Sequence, residues 1–340
     1  MPPIGSLHVD SALTNLSIMY KNQEYHADEI WPPLPVAKRS DVYFQYDPAM
    51  LVQGSPLDVN NLPDSAREPA DEASEVSFKM STLPFYCREY AKKQLVTDAE
   101  QAIADNPLQP ATDATLNVTN LLALDNERVV ANRVTTRGNY NSANKVALTT
   151  GGTGTSWKQT ASTNSDPFAN FTTGRLAILA SCFQEPNALQ VSISSAQYLS
   201  QHPLYRDRYK YVNQEGLTKR RLLQPVVNGM DVIETGAQAA TSKAGQTLTT
   251  GGVWVADDGT DEAVMFYRSP SLGPRTIHFG RTFEAPDDTT GSRGFSVRRF
   301  RWEIKKGEYV ECSTLRDWRA IAIDSNGKYL AGYLITGVSA

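Results

Sequence analysis

The sequence predicts an α+β protein, with helix-rich and strand-rich stretches set apart along the chain. Three observations predict it. Two alternating strands flank a long polar stretch near the N-terminus, residues 97–183 read as largely helical, and short strands and helices mix after Asn187 before two long strand-like runs at 295–325. A length of 340 residues allows two domains or one elaborate one. Hydrophobic content of 40% and charged content of 21% fit a folded, soluble protein.

The N-terminal element is the stretch "EIWPPLPVAKRSDVYFQYD", residues 29–47. Pro32, Pro33 and Pro35 fix φ and remove three backbone donors, which excludes a helix or a central strand there. Residues 1–38 therefore read as an extended arm. The arm delivers a strand with Val42, Phe44 and Tyr46 on one face and Tyr43, Gln45 and Asp47 on the other. A polar stretch at 51–73 follows, then a second strand with Val76, Phe78 and Met80 opposite Ser77, Lys79 and Ser81. Together they read as one long hairpin with a large charged tip projecting from the body, and loops that long are usually functional.

Helices come next. Thr97 and Glu100 form a capping-box pattern, stopped by Asn106-Pro107. In "PATDATLNVTNLLALDNERVVANRVTTRGN", Ala114, Val118, Leu121, Leu122, Val129 and Val130 recur at three- and four-residue steps up to Gly138. At ~1.5 Å per residue this is a rod of about 38 Å. A Gly/Thr/Ser/Asn-rich stretch at 138–165 intervenes. Asp166-Pro167 then supplies an N-cap with proline at the first helical position, and Phe168, Phe171, Ile178, Leu179 and Cys182 line one face. The runs "ALQVSI", "SSAQYLSQHP", "TKRRLLQPV", "MDVIETG", "GGVWVA" and "EAVMFYRS" suggest a second α+β domain. Two strand-like runs, "FSVRRFRWEIKKGEYVECS" and "WRAIAID", lead to a turn at Asn326-Gly327 and a closing strand, "KYLAGYLITGV".

Charge and motifs exclude several classes of function. Net charge is 33 − 37 = −4, so no basic field grips nucleic acid. No cationic-then-apolar leader reads as a signal peptide, and no apolar window spans a membrane. Cys87, Cys182 and Cys312 are scattered and odd in number, which points to a reducing compartment without a disulfide framework. "TTGGTGTSWK" fails phosphate-loop spacing and reads as a flexible loop. No two of His8, His26, His202 and His278 have metal-ligand spacing, and His202 reads as a helix-end or surface group. "DDGTDEA" and "DSNGK" lack the glutamate a calcium loop needs; these, with Asp257, Asp258, Asp287 and Asp288, read as turns. Neither GxSxG nor a close Cys–His pair occurs. The chain is expected to be no enzyme, with no catalytic residue, metal or cofactor, although a site assembled only by folding stays open. In "VRRFRWEIKKG", Arg299, Arg301 and Glu303 alternate with Phe300, Trp302 and Ile304. That is the pattern of a half-buried strand with a solvated charged face. Lattice or weak DNA contact through Arg298, Arg299 and Arg301 is the second reading. "KRR" at 219–221 suits inter-subunit salt bridges.

This order of parts resembles the major capsid proteins of tailed bacteriophages, whose fold is shared by encapsulins and the herpesvirus capsid floor. "YKNQEYHADEIWPPLPVAKRSDVYFQYD" resembles the family's arm leading into its hairpin, and "FYCREYAKKQLVTDAE" the exit from that hairpin. "ATDATLNVTNLLALDNERVVA" resembles the spine helix, and "EPNALQVSISSAQYLSQHPLYRDRYKY" the opening of the axial domain. The likeness covers nearly the whole chain and rests on order and texture, because the family has no short invariant motif.

The resemblance implies an N-terminal arm (1–38) and an E-loop hairpin (39–88). It implies a P-domain (89–185, spine helix about 111–136) completed by about 295–325, and an A-domain (186–294) completed by about 326–340. It further implies self-assembly, as pentamers and hexamers, into an icosahedral head enclosing double-stranded DNA held non-specifically. The E-loop would lie across a neighbouring copy through Val42, Phe44, Tyr46, Val76, Phe78 and Met80, with Arg67 and Glu68 among the mixed charges setting register. The arm begins almost at once, so a separate scaffolding protein is implied, together with a portal protein and a decoration or cement protein; no membrane is. Assembly in the host cytoplasm and residence in the virion follow. Lys79 sits at an ordinary polar-face position, with no signal for covalent cross-linking. An encapsulin-like cargo shell is the alternative. A β-rich surface or carbohydrate-binding module is a weaker one, since it calls for strands every 8–12 residues where 97–183 are helical.

Overall fold

Strand pairing, not order along the chain, decides which segments share a layer. The computed structural model describes residues 25–46, 72, 81–104, 109–149, 154–159, 165–209, 229–242, 245–271, 276–287 and 294–340. The chain enters through a one-turn helix, α1 (Ala27–Ile30), and a short strand, β1 (Pro33–Pro35). The hairpin root is β2 (Ser40–Phe44) with β3 (Thr82–Tyr86). Next come β4 (Arg88–Thr97), α2 (Asp98–Ile103) and the long helix α3 (Pro110–Thr135). β5 (Lys145–Ala147), α4 (Pro167–Cys182), β6 (Ala188–Ser192), α5 (Ile193–Gln201) and α6 (Pro203–Tyr209) follow. The rest is strand: β7 (Asp231–Thr235), β8 (Gln238–Ala240), β9 (Thr250–Gly252), β10 (Ala263–Phe266), β11 (Gly280–Glu284), β12 (Ser296–Trp302), β13 (Gly307–Ala320) and β14 (Gly332–Thr336).

One sheet is built around β13. β4 pairs antiparallel along one edge, from Gly307↔Thr97 to Arg316↔Arg88; β12 and then β11 share the other edge, and β1 pairs parallel to β11. The proline-rich arm is therefore an edge strand, where missing N–H groups cost no ladder bond. Val310 and Cys312 meet Val96 on β4 and Ala114, Val118 and Leu122 on α3. At about 1.5 Å per residue, the 26 residues of α3 span roughly 39 Å. Leu121, expected in the buried stripe, is exposed; Leu124, Ala131 and Val134 complete that stripe instead. The run at 295–313, read as one strand, folds in half. Glu303–Lys305 form a helical turn, Lys306 takes a left-handed φ of 45°, and a Cβ on Gly307 would lie 2.6 Å from the Val96 carbonyl oxygen.

The second sheet runs β5-β14-β10-β6-β7, and every residue of β6, β10 and β14 is buried. α4 packs on β10 and β14 so closely that a Cβ on Gly174 would meet the Met265 side chain. Its N-terminus is held as the sequence predicts, Asp166 Oδ1 accepting from the backbone N–H of Phe168 and Ala169 at 3.0 and 3.1 Å. The capping box of α2 is also complete, Glu100 N donating to Thr97 Oγ1 and Thr97 N to Glu100 Oε2. Residues 280–284 join the β13 sheet, while β5 joins the second sheet and α4 packs on it. In each case the ladder or the apolar face available to the segment decides.

The arm is locked to both layers. Trp31 is fully buried against Phe279 and Tyr329, in space left by Gly280. Glu127 on α3 accepts from His26 N and Ala27 N of the arm and from Trp254 Nε1, the last at 2.6 Å. Burial raises its pKa, and the indole and backbone donors pull it back. Among the described residues, no helix is long and apolar enough to cross a membrane.

Three outcomes are expected. Gly280→Ala places a methyl 2.3–2.6 Å from the Trp31 indole; it should lower unfolding stability by about 1–3 kcal/mol, read from the urea midpoint of the unassembled chain. Glu127→Gln turns an acceptor into a donor against three donors and should cost about 1–3 kcal/mol; protease cleavage before Trp31 should rise with it. Glu262 is fully buried, accepts from Gln190 Nε2 at 3.1 Å, and has its pKa pushed by burial from 4.5 to about 8. The folded state therefore keeps a proton that the unfolded chain releases. The stability this contributes is full below pH 4.5 and is lost as pH rises to about 8. Glu262→Gln should gain on the wild type between those limits, and parallel urea midpoints across them would contradict the assignment.

Candidate assembly interface

The hairpin root grows out of the first sheet on the face away from α3. β2 and β3 pair antiparallel from Ser40↔Tyr86 to Phe44↔Thr82, and Gln45 N donates to Ser81 O one step beyond. The inward pleat carries Tyr43, Leu83 and Phe85. These pack with Cys87, Phe283, Ala285, Leu315 and Ile321, and Phe85 stacks on Phe283 at 4.5 Å between centroids. Tyr43 also donates through its hydroxyl to Ala320 O.

The outward pleat is exposed at Val42 (56%) and Tyr86 (54%). Two more of the expected interface residues are described, Phe44 and Tyr46. Phe44 is half-buried. Tyr46 turns back onto the body: its N–H donates to Ile321 O at 3.0 Å, its hydroxyl to Cys182 O at 3.3 Å, and its ring packs on the main core. Once the β2–β3 ladder ends, the chain lies against residues 321–322, so strict alternation no longer holds there. Val76, Phe78, Met80, Arg67 and Glu68 lie outside the described residues, as does "KRR" at 219–221.

The three arginines of β12 do not form one cationic face. Arg298 Nε donates to Glu311 at 2.9 Å, and Arg301 is held by Asp98 at 2.9 Å and Glu303 at 2.8 Å. Arg299 is exposed opposite Val310. Phe300 and Trp302 gather around Tyr309, with Lys93 Nζ 4.8 Å from the Tyr309 centroid and Lys305 Nζ donating to its hydroxyl. This side was expected to be buried, yet Ile304 is 87% exposed and Trp302 exposed. α3 covers the opposite face of the sheet, and the hairpin root packs on this one only farther along, at Leu315 and Phe283.

Further apolar surface was missed in the sequence. Leu176 and Leu179 on α4 and Phe183 just past its end are exposed, with Leu176 at 60%, while Phe171, Ile178 and Cys182 are buried. Their i, i+3, i+7 spacing was the available signal; Leu179 had been assigned to the buried side. Leu116 and Leu121 are exposed on α3. A contiguous exposed apolar patch, unlike single exposed residues, marks an interaction surface.

Burial pushes the Cys87 and Cys182 thiols up to about 11 and raises that of Cys312. His278 is pushed down to about 3 by burial and by Arg281 and Arg268. His202 ends α5 as expected but is buried rather than on the surface, with Nε2 3.1 Å from Ser165 Oγ. Among the described residues, no three metal-ligating side chains converge.

No protein-family model matches the chain. It is 26% identical over 288 residues to the major capsid protein of Pseudomonas phage JBD67, covering 84% of this chain and 85% of that protein. A crystal structure of a phage-related protein from Bordetella bronchiseptica RB50 superimposes with a TM-score of 0.65 at 20% identity, covering 97% of each chain. The mature capsid of bacteriophage PhiM1 gives 0.52 at 13% identity, over 96% of this chain and 89% of that one. The chain has the tailed-phage major capsid fold and is related in sequence, over most of its length, to a phage major capsid protein.

Proposed function

We infer that this chain is the structural subunit of a phage capsid, a protein that assembles with copies of itself into the shell of the virion. The observation that carries this reading is the pairing of the capsid fold with sequence kinship to a major capsid protein over most of the chain. A hairpin root with one face in its own core and Val42 and Tyr86 exposed on the other supports it, because a lone two-stranded hairpin is marginal in water. Residues 39–88 act as the E-loop. Val42 and Phe44, with Val76, Phe78, Met80, Arg67 and Glu68, contact a neighbouring copy, and the exposed Leu176 and Leu179 of α4 and the Trp302–Ile304 surface meet further copies. The P- and A-domains are centred on the first and second sheets respectively. Pentamers and hexamers close the shell, assisted by a separate scaffolding protein in the host cytoplasm; portal and decoration proteins join it. A net charge of −4 suits a lining that confines DNA without gripping it.

The chain expressed alone and with a candidate scaffolding protein, followed by sedimentation and negative-stain electron microscopy, tests this. Closed shells are expected from one preparation or both. Deleting 51–73 should stall assembly at small oligomers. Val42→Asp should do the same while shifting the melting of the unassembled chain by no more than about 0.5 kcal/mol, as for other exposed positions. Compact monomers in every preparation, indifferent to the deletion, would overturn the reading.

A further inference from the structure

A cavity of about 270 Å³ lies beside the hairpin root, walled by Leu34 and Val36 of the arm, Val42 and Phe44 of β2, and Phe283 of β11. Its lining is mostly apolar, with three charged side chains: Lys38, Asp41 and Arg281. Asp41 is engaged locally, its Oδ1 accepting from Val42 N at 2.9 Å. Arg281 is 2% exposed; Nη2 donates to Thr276 Oγ1, and Nη1 has no hydrogen-bond partner among the described residues. Burial lowers its pKa, and among the described residues no carboxylate offsets the loss of hydration. A buried guanidinium without a counter-charge is costly, and a planar carboxylate is the group its donor geometry fits best.

We propose that this cavity receives a carboxylate side chain from residues 64–75 of a second copy of the chain, seated against Arg281 and Lys38. That segment carries Asp64, Glu68, Asp71, Glu72 and Glu75 against one cation, Arg67. The cavity is continuous with the open hairpin face, since the exposed Val42 also lines it. One segment lying across that face covers an apolar side chain and neutralises a buried cation together. The inference rests on the shell-forming reading and gives the hairpin contact its specificity, which apolar area alone does not supply.

Shells formed from an equal mixture of unlabelled and nitrogen-15-labelled full-length chain are scored by electron microscopy, then treated with a zero-length carbodiimide that joins a lysine to a carboxylate in direct contact. Peptide mass spectrometry should find Lys38 joined to a carboxylate within 64–75, with mixed-label pairs in the proportion random association gives. Neutralising the five carboxylates should raise the concentration needed for assembly at least about tenfold. In closed shells, Lys38 left unlinked, linked to residues outside 64–75, or linked only within single-label pairs would overturn the proposal. Failure to form shells would remove the shell reading and this proposal with it.

Discussion

The ladder along β13 is the constraint on which the other elements depend. Its 14 residues are nearly all buried, and it pairs with β4 on one edge and with β12 and β11 on the other. One face receives the long helix through Val310 and Cys312; the other receives the hairpin root through Leu315. Because side chains alternate strictly along a strand, a one-residue slip would exchange these faces and expel both partners. The register of a single strand therefore sets where the hairpin leaves the body and where the spine lies beneath it.

The arm is held by a different kind of bond. Trp31 fills a tight apolar slot, while Glu127 gathers two backbone donors from the arm and an indole donor from the second layer. A carboxylate buried among donors is costly unless all are present together. Helix, arm and second sheet are consequently coupled, and residues 26–35 of the arm are held by the body.

Local signals were legible wherever they were self-contained. The capping box at Thr97–Glu100, the Asp166-Pro167 helix start and the helix through 110–135 were readable, since each depends on neighbours in sequence. What failed was the sidedness of apolar groups. Leu121 and Leu179 were assigned to buried stripes, and Trp302 and Ile304 to a buried strand face, yet all four are exposed. On the shell-forming reading, a subunit that packs against copies of itself carries two sets of apolar positions, one for its core and one for its partners, and periodicity does not separate them. Arg281, Glu127 and Glu262 were invisible for another reason: a buried ionisable group is recognised by its surroundings, which only the fold assembles.

The chain thus has the capsid fold, and its hairpin root packs one face on its own core and leaves Val42 and Tyr86 on the other exposed. A cryo-electron microscopy reconstruction of particles assembled from this chain tests most directly the reading that a neighbouring copy covers them. Val42 and Tyr86 should lie beneath a neighbouring subunit around every pentamer and hexamer. A map in which the hairpin contacts only its own chain, leaving Val42 open to solvent throughout the shell, would contradict it.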